Sequence, residues 1–533
     1  MKKYFLFLSL AFLVFLTSCG QKRPSSANQK VLHMNVHQEP STMDPRKGAD
    51  WISCVMHFNL FEGLMRLNPD GSLTPAQAES VDISPDQLVY TFHMRDTVWS
   101  NGDPVTAQDF EMSWKNILSP NFSSPNAHLL YPIKNAERMK KGNCTSQDVG
   151  IYAPDNKTLV VTLNYPTPYF LHLVAFSVFF PVSYETDTHV DRWTQEAGTS
   201  FVCNGPFSLK KWRHHHEAVF QRNPFYWNRQ NITLDQIHVS MISDGNTALK
   251  MFENGLLDII GLGISPIPAD ALAKYAQKGL LHTNHYPGTT ILCFNTNQFP
   301  FHNLHIRKAF ALALNRKEIV ENIAGPEGEL ATSIIPPALK LSVSPHSVDN
   351  YNLFLAKQHF ILGLQELGIS SKEFPPITYS YAATGNNETL AQAIQEQLTH
   401  NLGITIYLDK GDYKTHIDKL TLRQFELAQS FWVAQYRDPM SILERFKFKM
   451  NGKNYPGWEN STFIDLLDKS VFTSLPEERS KALEQAEALL IEEMPLLPLY
   501  HWSSAFMTQP YVSGYETSDN GVFDYSHLRL GER

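Results

Sequence analysis

Three consecutive histidines, His214-His215-His216, followed by Glu217, form the most conspicuous run of metal-ligand side chains in the chain. Adjacent side chains on a strand point to opposite faces, so such a run rarely converges on one ion. The flanking stretches Phe207 to Trp212 and Ala218 to Arg222 have strand patterns, which makes the run the tip of a hairpin. No metal and no cofactor is expected. Cys54, Cys144, Cys203 and Cys293 allow three disulfide pairings, and the sequence chooses none of them. No C-x-x-C pair is present, which disfavours redox and zinc roles. There is no G-x-S-x-G elbow, no H-E-x-x-H helix and no phosphate-binding loop. The paired acids Glu492-Glu493 come late in a helical pattern and read as solvated. The absence of these motifs disfavours a secreted hydrolase, and a structural envelope protein is a further reading.

The N-terminus supplies an address. Lys2 and Lys3 precede an almost wholly apolar run from Tyr4 to Leu16, which is short of the roughly 20 residues a spanning helix needs. Leu16-Thr17-Ser18-Cys19-Gly20 follows. A small residue before a cysteine, directly after such a run, resembles a bacterial lipobox. Residues 1–18 are then a signal peptide, Cys19 the lipidated residue, and residues 19–30 a polar tether. No second run of spanning length occurs. The expectation is a monomeric body in the bacterial cell envelope, periplasmic or extracytoplasmic, held at a membrane through Cys19. Removing the leader takes Lys2 and Lys3, and no acid, from 45 basic and 53 acidic residues, leaving a net charge of about −10. That balance argues against a nucleic-acid partner, whose footprint is basic.

The elements that would position a site are mixed. Strand patterns occur at Val31 to Val36, Val89 to Met94, Thr158 to Leu163, Ile237 to Ile242, Thr290 to Asn295, Ile377 to Tyr381 and Ile404 to Leu408. Helical patterns cover Ile306 to Ala324, Thr389 to Leu402, Ile417 to Leu422, Thr462 to Ser470 and Pro476 to Glu493. The class is α/β. No linker or repeat divides the body, as expected when the chain crosses between lobes more than once. Between Trp99 and Trp114 the turn signals Asn101-Gly102 and Asp103-Pro104 lead to Thr106, an N-cap residue type, with Asp109 in the first turn. Phe110, Trp114 and Ile117 then fall at helical spacing.

Several motifs, in order, resemble those of one family. They are Ser41-Thr42-Met43-Asp44-Pro45, Leu60-Phe61-Glu62-Gly63-Leu64, the stretch from Trp99 to Trp114, Asn204-Gly205-Pro206-Phe207, Arg222-Asn223-Pro224-Phe225-Tyr226-Trp227, and Ile306-Arg307-Lys308-Ala309 running into Ala311 to Arg316. Together they resemble the family 5 extracellular solute-binding proteins, the peptide/nickel class, and within it the oligopeptide-binding proteins of bacterial ABC importers. The resemblance implies a type II periplasmic-binding-protein fold with three lobes and a hinged cleft. Lobe I would comprise residues 31–62, 187–287 and 504–533, lobe II residues 63–186, and lobe III residues 288–503. It implies a peptide captured between lobes I and III and delivered to a permease with its ATPase subunits. One strand edge would come from Ala49 to Trp51 and the other from Ser430 to Trp432. Ala49, Trp51, Asn387, Phe431, Trp432, Gln435, Tyr436 and Asp438 are the implied ligand contacts. An extended peptide presents the same N–H and C=O groups whatever its sequence, so edge pairing gives affinity without selectivity.

The chain departs from the family at one position that matters. Members carry W-C-A-D-Y-N-E-P or similar, whose Asp pairs the peptide α-ammonium; here the run is Trp432-Val433-Ala434-Gln435-Tyr436-Arg437-Asp438-Pro439. An amide accepts a hydrogen bond from an ammonium but does not neutralise it. An unpaired buried charge costs about 2–5 kcal/mol, roughly 30-fold to several thousandfold in affinity. Either Asp438 swings in to take the amine, or the ligand offers no free amine there, or peptides bind more weakly. A murein peptide or a nickel chelate is the alternative ligand.

Overall fold

The computed structural model describes residues 29–68, 70–339, 347–473, 475–515 and 524–532. The leader and Cys19 lie outside the described residues. Three sheets of four or more strands organise them. In the first, Val31–Val36 runs parallel to Gln236–Met241, followed by Glu217–Arg222 and Phe207–Arg213 in antiparallel order. The second is antiparallel throughout, in the order Ala78–Ile83, Val89–Met94, Thr158–Thr162, Ile151–Asp155. Its logic is the period-2 pattern: Tyr90, Phe92 and Met94 are buried while Val89, Thr91 and His93 are partly exposed.

The third sheet has seven strands and holds the molecule together. Its path is Ile259–Gly261, Leu496–Thr508, His282–Phe294, Leu427–Val433, Ile377–Ala382, Ile406–Gly411, with Gly328–Leu330 added beside Leu496–Thr508. Two strands, His282–Phe294 and Leu496–Thr508, are 13 residues long and pair antiparallel, with register slips between His285 and Thr289 and between Thr290 and Ile291. The expected α/β class is what the chain adopts.

Three of the motifs, those of Glu62, Asn204 and Tyr226-Trp227, meet in one buried hub. Glu62 accepts from Tyr226 Oη at 2.6 Å, Trp227 Nε1 at 2.7 Å, Gln77 Nε2 at 2.8 Å and Arg66 Nη1 at 3.2 Å. Burial works against the charge on Arg66, but Asp524, Tyr226 and Glu62 hold its pKa above the ordinary value. Asn204 clasps the same strand end, accepting from Glu62 N and donating to Glu62 O, both at 3.0 Å. Gly205 is required there because a Cβ would lie 2.5 Å from the Leu60 carbonyl carbon. In the stretch opening at Trp99, Thr106 and Asp109 form a capping box, and Trp114 Nε1 donates to the Phe179 carbonyl at 2.8 Å. Trp99 and Trp114 are fully buried, so this stretch is packing.

Several elements differ from the sequence expectation. The helix expected from Ile306 to Ala324 breaks after Leu304–Leu312 and resumes as a short turn, Arg316–Ile319, and a π-helix, Val320–Ala324. Arg316 is the cause: buried at 0% exposure, it donates to the carbonyls of Pro498 (2.7 Å), Val348 (3.0 Å) and Asp349 (2.7 Å), and Asn315 caps the restart. Burial pushes the Arg316 pKa down to about 10. Ala49 to Trp51 is not a strand; it is a loop that enters the helix Trp51–Leu60, capped by Asp50. Helices Gly245–Glu253, Ala269–Gln277 and Leu353–Leu367, and the long strand Leu496–Thr508, are not expected from the sequence patterns. The helix Leu353–Leu367 is apolar nearly all round, which blurs its period. The four body cysteines are free thiols.

Candidate functional site

The strand Leu427–Val433 has one open edge. On one side it pairs with His282–Phe294 from Phe294↔Leu427 to Gly288↔Val433. On the other it meets Ile377–Ala382 only at Leu427 and Ala428. Beyond that point its outer carbonyls are taken by side chains: His416 Nε2 donates to Gln429 O at 2.7 Å and Arg445 Nη2 to Val433 O at 3.0 Å. Residues two apart on a strand face the same edge. Phe431 shares the parity of Gln429 and Val433, so its N–H and C=O face outward between them.

That edge looks onto a cavity of about 460 Å³ lined by Ala49, Trp51, Tyr286, Ser430 to Gln435, Asn126, Arg445 and Lys453, among others. The size lies within the usual range for ligand sites. Its aromatic side is a packed cluster: Trp51 meets Tyr286 edge-on at 5.2 Å, Tyr286 meets Trp502 at 5.8 Å, and Phe431 meets Trp502 at 5.1 Å. Trp51 is fixed by a 3.1 Å bond from Nε1 to the Leu262 carbonyl. A second cavity of about 720 Å³ adjoins, and Gln435, Arg445 and Lys453 line both.

Gln435 is held on all sides. Its N–H donates to Ser441 Oγ at 3.0 Å, its Nε2 donates to Asn126 Oδ1 at 3.3 Å, and its Oε1 accepts from His128 Nε2 at 2.9 Å. Asn126 in turn donates to the carbonyl of Gly48, next to Ala49, at 3.0 Å. Burial first, then the nearby Lys453 and Arg445, push the His128 pKa below the usual histidine value. Arg445 lies over the Trp432 ring at 4.4 Å and donates from Nε to Ser441 O at 2.9 Å. Burial lowers its pKa, as it does that of Lys453.

Of the implied contacts, Ala49, Trp51, Phe431, Trp432 and Gln435 come together around the first cavity. Asn387, Tyr436 and Asp438 do not line it. Asn387 starts a helix and accepts from Gln429 Nε2 at 2.6 Å, behind the open edge. Tyr436 is buried, stacked on Tyr169 at 4.5 Å and donating to Glu444 at 3.1 Å. Asp438 is buried and committed: it accepts from Arg479 Nη2 at 2.8 Å and from Met440 N at 2.9 Å. It is not placed to swing toward Gln435 without stranding Arg479. Asn126, His128, Tyr286, Arg445 and Lys453 were not among the expected contacts. Tyr286 lies in the long strand His282–Phe294, and His128 and Arg445 lie in single short 3-10 turns, so no periodic pattern singles them out.

The histidine run is the expected hairpin tip, yet His214 and His215 both reach Glu39, at 2.7 and 2.9 Å. They converge because His215 adopts φ +58° in a turn, where strand alternation no longer applies. No group of three or more His, Cys, Asp or Glu able to hold a metal occurs among the described residues.

A family model described as bacterial extracellular solute-binding proteins, family 5, middle, matches residues 72–454. The oligopeptide-binding protein OppA of Bacillus subtilis is 35% identical, over 95% of this chain and 95% of its own length. The dipeptide-binding protein DppE of Bacillus subtilis is 32% identical, over 94% of this chain and 92% of its own. Among solved structures, the periplasmic murein tripeptide-binding protein MppA in its unliganded open form superposes with a TM-score of 0.82 at 25% identity, covering 94% of this chain and 98% of that one.

Proposed function

Because the chain belongs to family 5 of the bacterial extracellular solute-binding proteins, we propose that it captures its peptide against the open edge of Gln429 to Val433. The protein is the solute-binding component of an ABC transporter, not an enzyme, and its ligand class is oligopeptides. The observation that carries the site is the strand edge at Phe431, between the side-chain-capped carbonyls of Gln429 and Val433, on a cavity also lined by Ala49 and Trp51. A peptide backbone adds to such an edge through its own N–H and C=O groups. Phe431 supplies the backbone pair, and the aromatic cluster of Trp51, Tyr286 and Trp502 gives an adaptable apolar wall.

On this reading, residues 31–62, 187–287 and 504–533 are the first lobe, 63–186 the second and 288–503 the third. The two long strands run through both 287 and 503, so they are the connection on which the first and third lobes turn. The protein works outside the cytoplasm as a monomer, tethered by lipid on Cys19, and hands its ligand to a permease with ATPase subunits. A murein peptide is the alternative ligand, supported by the likeness to MppA.

Native mass spectrometry of protein extracted with its own ligand tests the reading. The expected result is a set of peptide masses released on denaturation. A single non-peptide solute would overturn it, and masses carrying amino-sugar or diaminopimelate signatures would select the alternative.

A further inference from the structure

The wall around Gln435 is basic, and the cavity it closes has no acid. Arg445 and Lys453 line the cavity, while none of its lining residues is Asp or Glu. Neither cation makes a salt bridge among the described residues: Arg445 spends Nε and Nη2 on the carbonyls of Ser441 and Val433, and Lys453 Nζ has no hydrogen bond there. Trp432 adds an indole N–H that is likewise without an acceptor there. Glu444, the nearby carboxyl, lines the second cavity and accepts from Tyr436. Burial raises its pKa, and it acts on both cations from the side of that second cavity. Gln435 itself is held by Asn126 and His128, its oxygen already accepting from His128.

Resting on the peptide reading above, we infer that this wall binds a carboxylate of the ligand, inverting the charge preference that an aspartate at position 435 would impose. An α-ammonium placed there would meet two cations, with no acid among the residues that line the first cavity. A carboxylate would gain charge-assisted hydrogen bonds from Arg445 and Lys453, which are the strong kind in a partly desolvated site. Arg445 is positioned for this by its bonds to Ser441 and Val433 and by the Trp432 ring, so it needs no reordering to receive an anion. The carboxylate is either the peptide C-terminus or an acidic side chain; both offer the same chemistry.

Calorimetry on the full mature protein with four ligands tests this: Ala-Ala-Ala, its N-acetyl form, its C-terminal amide, and N-acetyl-Glu-Ala-Ala-amide. Amidation should weaken binding about tenfold or more, and acetylation should change it by less than about threefold. Recovery of affinity in the glutamyl ligand assigns the site to side-chain acids; no recovery assigns it to the C-terminus. Lys453→Met should bring the acid and amide forms within about threefold of each other. An unchanged thermal unfolding midpoint, read by circular dichroism, shows the variant is folded. Loss on acetylation with no loss on amidation overturns the inference and leaves the peptide reading intact. So does an acid-to-amide ratio that Lys453→Met leaves unchanged. If none of the four ligands binds and the extracted ligand is not a peptide, the peptide reading falls and this inference with it.

Discussion

Gln435 Oε1 accepts a 2.9 Å hydrogen bond from Nε2 of His128, a residue 307 positions away in the chain. This bond, with the one to Asn126, ties the end of the open strand to the segment Asn126 to Leu130. It also defines the chemistry of that end: a neutral donor and a neutral acceptor paired beside two cations.

Gln435→Asp should raise the His128 pKa. The imidazole is held below the usual value by burial and by Lys453 and Arg445, and a carboxylate in hydrogen-bond range favours the protonated ring. Histidine-selective NMR titration of parent and variant reads this directly. An unchanged midpoint would contradict the Gln435–His128 contact.

Phe431→Pro should weaken peptide binding by about tenfold, the worth of a backbone hydrogen bond of about 1–1.5 kcal/mol. Proline is tolerated where the missing N–H faces away from the ladder. Phe431→Ala, which keeps the N–H but loses the contact with Trp502, separates side chain from backbone. Equal losses in the two variants would remove the edge-pairing role.

Glu62→Ala should destabilise the fold by about 3–5 kcal/mol, because it strips one carboxylate from buried Arg66 and leaves Tyr226, Trp227 and Gln77 without their acceptor. Denaturant unfolding measures this. A loss below about 1 kcal/mol would mean that Asp524 alone satisfies Arg66.

His57 sets a pH dependence of stability. Burial pushes its pKa down to about 4, below the unfolded value of about 6.5. The unfolded chain therefore binds the proton first as pH falls. The contribution is complete above about pH 6.5 and is lost progressively toward pH 4, up to about 3 kcal/mol. His57→Gln should flatten this part of the stability curve in paired unfolding series at pH 7 and pH 4.5. Parallel curves would show that His57 does not carry it.

The sequence was informative where residues repeat at a structural period or sit in turns. The strand at Val89 and the helix Pro476–Glu493 were legible because burial alternates or a proline opens the first turn. The break at Asn315 was not, because it is imposed by the carbonyls around Arg316, which come from segments far along the chain. The edge residues Phe431 and Trp432 could be placed through the family motif around them. Arg445 and Lys453 could not, since their meaning comes only from standing beside Gln435. Asp438 misleads for the same reason: its partner, Arg479, is 41 residues away.

The slip between His285 and Thr289 places an irregularity of the two long strands beside the chamber lined by Trp51, Phe431 and Gln435. Tyr286 lies within the slip and lines the chamber, and Gly288 lets Trp502 press against the backbone, since a Cβ there would be 2.7 Å from the ring. If the lobes turn at this point, cargo rests on the axle of the machine. Small-angle scattering across peptides of graded bulk would then show stepped changes in radius of gyration. Close to an axle the lever arm is short, so a side chain wider by a methyl group swings the far rims through a multiplied arc. The docking faces would then gauge the width of what is carried without ever touching it.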